Sequence, residues 1–98
     1  MEFEFSGTII EWRGPAPHHF IALPEGPAAM IRAASGVLTY GWGVIPVRAR
    51  IGDTPFTTSL FPKDGGYLLP VKLDVRRREA IGPGDIVTVE LTAGARHI

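Results

Sequence analysis

Two stretches decide the fold: residues 21–36, IALPEGPAAMIRAASG, and residues 67–82, YLLPVKLDVRRREAIG. Set 46 residues apart, they place Leu23-Pro24 on Leu69-Pro70, Arg32 on Arg78, Ala34 on Ala80 and Gly36 on Gly82. Five identities in sixteen positions make a weak repeat, but the patterns on either side repeat as well. Upstream of the first stretch, Phe3, Phe5 and Gly7 alternate with Glu2, Glu4 and Ser6, and the run continues to Trp12. That is strand periodicity with aromatic and β-branched enrichment. Gly14-Pro15-Ala16-Pro17 interrupts it, because prolines cannot donate to a ladder. His19 to Leu23 reads as a second strand, and Pro24 to Ala34 as a helix with Gly36 at its C-cap. After a loop through Gly41-Trp42-Gly43, Val44 to Ile51 is a strand, with Val47, Ala49 and Ile51 on one face and Arg48 and Arg50 on the other.

The second set follows the same order. Gly52-Asp53-Thr54 is a hairpin turn, and Pro55 to Phe61 is a strand ended by Pro62 and the Asp64-Gly65-Gly66 turn. Tyr67 to Leu73 is the next strand, Val75 to Ile81 a helix closed by Gly82-Pro83-Gly84, and Asp85 to Thr92 the last strand. Strand, strand, helix, strand therefore occurs twice. The sequence predicts a mainly β chain: a six-stranded, double-split β-barrel with pseudo-two-fold symmetry and two short capping helices, as a single domain over residues 1–98. A closed barrel leaves few free edges, so a monomer is expected.

Composition agrees and excludes a good deal. With 98 residues, 45% hydrophobic and 20% charged, the chain is long enough for one modest core. Gly 12 and Pro 9 suit short strands and tight turns rather than long helices. The absence of cysteine removes disulfides, thiolate metal sites and thiol nucleophiles. The acidic, alternating N-terminus lacks the pattern of a signal peptide, and no apolar run is long enough to span a membrane. A cytoplasmic protein that makes no use of a membrane is the expectation.

The net charge is zero, which lacks the global pull of a non-specific nucleic-acid binder. It is unevenly laid out: residues 1–47 carry −2, residues 48–78 carry +4 and residues 79–98 carry −2. The basic segment holds Arg48, Arg50, Lys63, Lys72 and Arg76-Arg77-Arg78, together with the hydroxyls of Thr57, Thr58 and Ser59. Pairing of the Val44–Ile51 and Pro55–Phe61 strands puts Arg48 and Arg50 on the same face as Thr57 and Ser59, where guanidinium forks beside hydroxyls can hold a phosphate or carboxylate. Arg48, Arg50, Thr57, Ser59, Lys63, Lys72 and Arg76 are thus the candidate ligand-binding residues. A solvated sheet face is the plain alternative. Trp42, Phe61 and Tyr67, with Trp12 and Tyr40, form a candidate aromatic wall, the alternative being side chains that fill a small barrel.

The stretch from Leu69-Pro70 through the Arg76-Arg77-Arg78 helix to Gly84-Asp85-Ile86-Val87 distantly resembles AbrB-type swapped-hairpin barrels, which are DNA-binding dimers. More closely, the chain resembles the DUF1905 family from about Phe3 to Leu91. The likeness is carried by Gly41-Trp42-Gly43, Val47-Arg48-Ala49-Arg50-Ile51-Gly52, Thr57-Thr58-Ser59-Leu60-Phe61-Pro62, Leu69-Pro70-Val71-Lys72 and Val75-Arg76. That resemblance implies a bacterial domain with a small split-barrel fold and no assigned activity.

Catalytic patterns are poor. Ser59 lacks a nucleophile-elbow setting, and the adjacent His18 and His19 would point to opposite faces of a strand, without companions at metal-ligand spacing. Asp85 reads as a turn former. No phosphate-loop or dinucleotide fingerprint is present, so no cofactor and no metal are expected. Three functions follow in order: a non-enzymatic binding module for an anionic small ligand or acidic partner, a nucleic-acid binder of the swapped-hairpin type, and an accessory domain contacting another protein through Trp42.

Overall fold

A computed structural model describes residues 1–13, 18–38 and 44–94. The elements are β1 (Glu2–Trp12), β2 (His18–Ala22), α1 (Glu25–Ala33), a helical turn α2 (Ser35–Leu38), β3 (Ile45–Ile51), β4 (Thr54–Lys63), β5 (Gly66–Pro70), α3 (Leu73–Glu79) and β6 (Ile86–Ala93). The strands close into an antiparallel barrel in the order β1-β2-β5-β4-β3-β6. Exchanging β1 with β4, β2 with β5 and β3 with β6 returns the same ring, which is the pseudo-two-fold expected from the repeat.

Closure depends on two long strands. β1 pairs with β6 over Glu2–Thr8 and with β2 over Ile9–Trp12. β4 repeats the device, pairing with β3 over Thr54–Leu60 and with β5 over Phe61–Lys63. Each long strand thus leaves one four-stranded sheet and enters the other. Gly7 stands at the crossing in β1, where an added Cβ would lie 2.5 Å from Ile21 Cγ2. The prolines fit the same scheme. Pro55 and Pro62 each pair with only one neighbouring strand, and Pro46 precedes the β3–β6 ladder, which begins at Val47. A missing N–H is tolerated on the unpaired side. For that reason β4 continues through Pro62, which pairs with Tyr67, instead of ending there as its sequence suggests.

The core follows the alternation. Phe5 and Ile9 of β1, Ile21 of β2, Val47, Ala49 and Ile51 of β3, Leu60 of β4, Leu69 of β5 and Val87, Val89 and Leu91 of β6 are buried together. α1 adds Ala28 and Ile31 at one end, and α3 adds Val75 at the other. The exposed surface of 5885 Å² is near the roughly 5,500 Å² that size alone predicts.

Three local expectations are corrected. β5 ends at Pro70, and Val71 turns inward while Leu73 is exposed and starts α3; the Val71 N–H makes a last bond to the His19 carbonyl, and the extended cap residue Lys72 then leads straight into the helix. The C-cap of α1 is Ala34, and Gly36 lies within α2. The left-handed cap of α3 is Ala80, at φ 55°, rather than a residue of the Gly82-Pro83-Gly84 turn. Asp85 does form that turn: its Oδ2 accepts from the Gly82 N–H at 2.8 Å.

α3 is locked to the β3–β4 hairpin. The Thr54 hydroxyl donates to Glu79 Oε2 at 2.5 Å, and the carboxylate lies against Gly52, where a Cβ would come within 2.7 Å of Glu79 Cδ. Gly52 also has φ +59°. Gly52→Ala should therefore cost about 2 kcal/mol, from left-handed strain and displacement of a hydrogen-bonded carboxylate. Chemical denaturation should show a lower midpoint at unchanged slope, partly restored by adding Glu79→Ala. Ala80→Gly should act oppositely, stabilising by about 1 kcal/mol, because only the left-handed strain of an exposed cap is removed.

Candidate functional site

Strand parity brings part of the candidate set together. Arg48 lies opposite Thr57 on β4 and opposite Thr92 on β6, all on the outer face. Ser59 is two residues along the same face, opposite Pro46. Lys72, in the link to α3, reaches back to this strand, its Nζ 3.5 Å from the Thr57 carbonyl oxygen. Arg76 is one helical turn further on, and its Nε donates to the Val71 carbonyl at 3.2 Å. The parity of β4 turns Thr58 toward the interior, where it is half-buried.

Arg50 is placed differently. It lies opposite Pro55 on one side and Glu90 on the other. Its Nη2 donates to Glu90 Oε2, and its Nη1 donates to the Gly52 carbonyl at 2.8 Å. The hydrogen bond to Glu90, reinforced by the charge of that carboxylate, raises the guanidinium above its ordinary range, so the group stays ionised at any working pH. Its fork is committed to the protein's own carboxylate. Glu2 pairs with Thr92, and Glu4 with Glu90, so the outer face that carries the two arginines also carries three glutamates. The +4 segment of the sequence is therefore not a uniformly basic sheet face.

Lys63 is on the other sheet. Its Nζ is 3.9 Å from Asp64 and stands over Trp12, 5.2 Å from the ring centroid. Trp12 opens onto an exterior aromatic cluster. Phe20 lies 6.3 Å from Trp12, 5.9 Å from His18 and 5.1 Å from Phe61, the last edge to face. Phe20 is 4% exposed and Leu68 7%, yet both are outside the barrel core, whereas Trp12 is 53% exposed. A groove of about 780 Å³ runs past Trp12, Phe20, Lys63, Tyr67 and Leu68. Tyr67 faces the core and only borders the groove, and Tyr40 and Trp42 lie outside the described residues. Of the proposed aromatic wall, Trp12 and Phe61 are thus brought onto one face, and Phe20, which the sequence reading did not single out, lies between them. The available signal was the run of paired apolar residues Ile9-Ile10, Phe20-Ile21, Leu60-Phe61 and Leu68-Leu69, one on each strand of this sheet, which covers both of its faces.

The histidines split as strand parity requires. His18 is outside beside Phe20, and His19 points inward with Nε2 3.9 Å from Glu11 Oε2. Neither neighbours Ser59 in a ladder, since β2 pairs with β1 and β5.

Because Phe20 is buried under its neighbours and Trp12 is not, Phe20→Ala should cost about 3 kcal/mol of stability and Trp12→Ala less than about 1 kcal/mol. Thermal or urea unfolding of the two variants reads the difference directly.

No helix among the described residues is long and apolar enough to cross a membrane. No curated protein sequence matches the chain. The family model for DUF1905, described as a domain of unknown function, matches residues 5–91, and its span takes in both halves of the barrel, the Arg48–Thr57–Lys72 face and the aromatic cluster. The chain therefore belongs to the DUF1905 family.

Proposed function

We propose that this domain is a non-enzymatic binding module that engages an anionic small ligand or an acidic partner, as a cytoplasmic monomer, through Arg48, Thr57, Ser59, Lys72 and Arg76. One observation supports it above all. Among the described residues, Arg13, Arg32, Arg50 and Lys63 each lie within 4 Å of a carboxylate, on Glu11, Glu25, Glu90 and Asp64 respectively. Arg48, Lys72, Arg76, Arg77 and Arg78 have no such partner among the described residues, and all five lie on β3 or at α3, both of which contact β4. The nearby acids are otherwise engaged: Asp74 accepts from the Val75 N–H, and Glu79 holds Thr54. Uncompensated cations beside hydroxyls attract and orient an anion, and α3 is fixed rigidly enough to present them.

The nucleic-acid reading gains less. A phosphate backbone following the outer sheet from Arg48 would pass Glu2, Glu4 and Glu90, which repel it. The accessory-domain reading rested on Trp42, which lies outside the described residues.

At low salt, citrate and a glutamate-rich peptide should shift the amides of Arg48, Thr57, Ser59, Lys72 and Arg76. A double Arg48→Glu, Lys72→Glu variant should lose that response while keeping its fold by circular dichroism. Binding that survives the double charge reversal overturns the proposal. A short DNA duplex bound more tightly than the peptide, with affinity falling steeply as salt rises, would instead support the nucleic-acid reading.

A further inference from the structure

A cleft of about 260 Å³ lies where β2 and the end of β5 meet α3. Phe20 and Val71 line it, with His18, His19, Lys72 and Arg76 as its polar groups, and no carboxylate borders it. Three properties set it apart from the sheet face beside it. Arg76 spends Nε on the Val71 carbonyl, which fixes the guanidinium and leaves both terminal nitrogens uncommitted among the described residues. Lys72 makes only the long contact to the Thr57 carbonyl and has two further donors. His19, with its side chain 11% exposed, has Nδ1 buried and without a hydrogen-bond partner, while Nε2 faces Glu11. A buried polar nitrogen left unpaired calls for an external partner.

We infer that this cleft binds a phosphoryl group, either inorganic phosphate or the phosphate end of a small phosphomonoester. The inference rests on the anion-binding reading above and assigns its ligand class and seat. Lys72 supplies a point charge, the Arg76 fork takes two oxygens, and the unpaired His19 Nδ1 is left to meet a third. These groups arrive from β2, from the residue before α3 and from the body of α3. Such a spread suits the tetrahedral oxygens of a phosphoryl group better than the planar pair of a carboxylate. The Phe20 and Val71 lining leaves a small apolar wall for an organic remainder, while the cleft is too small for a folded polymer.

The test is titration of the labelled full chain with inorganic phosphate and with glycerol 3-phosphate, at ionic strength held constant with sodium chloride. Both should shift the amides of His18–Phe20, Val71, Lys72 and Arg76. Tighter binding of glycerol 3-phosphate assigns the cleft to a phosphomonoester, and equal binding assigns it to the phosphate group alone. Arg76→Gln should weaken binding about tenfold, as loss of a charged hydrogen-bonding pair does, whereas Arg32→Gln, on α1 and outside the cleft, should leave it unchanged within about twofold. His19→Gln should also weaken it; if that variant does not fold, the half-buried Arg76 decides. Binding that survives Arg76→Gln, or that falls as far in Arg32→Gln, overturns the cleft assignment. So does a chain that ignores both phosphates while citrate or the acidic peptide still shifts Thr57 and Ser59, an outcome that leaves the anionic surface standing. Silence toward every anion overturns both.

Discussion

Everything in this structure depends on two strands that each serve two sheets. β1 changes partner between Thr8 and Ile9, and β4 between Leu60 and Phe61. A strand can do this only if its backbone turns from one ladder into another without a clash and without stranding polar groups. Gly7 gives Ile21 room at the first crossing. At the second, the prolines of β4 fall where one side has no strand partner. Closure through these strands brings the helices over the two ends and leaves β4 between β3 and β5, with α3 against it.

That arrangement sorts the charges. The antiparallel ladder of β3 with β6 sets Arg50 against Glu90, forty residues away, and the pair neutralises itself. Arg48, one step along the same face, meets threonines on both sides and keeps its charge free. Lys72 and Arg76 join it because β5 stops at Pro70 and the chain turns directly into α3. The surplus of positive charge is concentrated by pairing elsewhere, not by a run of basic residues in one strand.

The two outer surfaces obey different physics. Beyond the β1–β2–β5–β4 sheet, apolar residues occupy both parities, and the outward set forms its own aromatic cluster around Phe20. Beyond the β1–β6–β3–β4 sheet, the outward set is polar and charged. The cleft with the orphaned His19 nitrogen lies where the aromatic surface meets α3, next to uncompensated cations and with no carboxylate along its lining.

The element order, the inward set on β3 and β6, the face shared by Arg48, Thr57 and Ser59, and the Asp85 turn are all legible in the chain. They depend on period-two alternation and on local turn chemistry, which neighbouring residues determine. The ends of β4 and β5 are not legible locally, because a proline stops a strand only where a partner needs its N–H, and the partner is set by closure. For the same reason the sequence shows Arg50 and Lys63 as equals of Arg48 and Lys72, although Glu90 and the Trp12–Asp64 pair take the first two out of the set. Composition and spacing thus determine which residues can bind an anion. Only the tertiary structure decides which of them remain free to do so, because charge compensation is a matter of distance in space and not of separation along the chain.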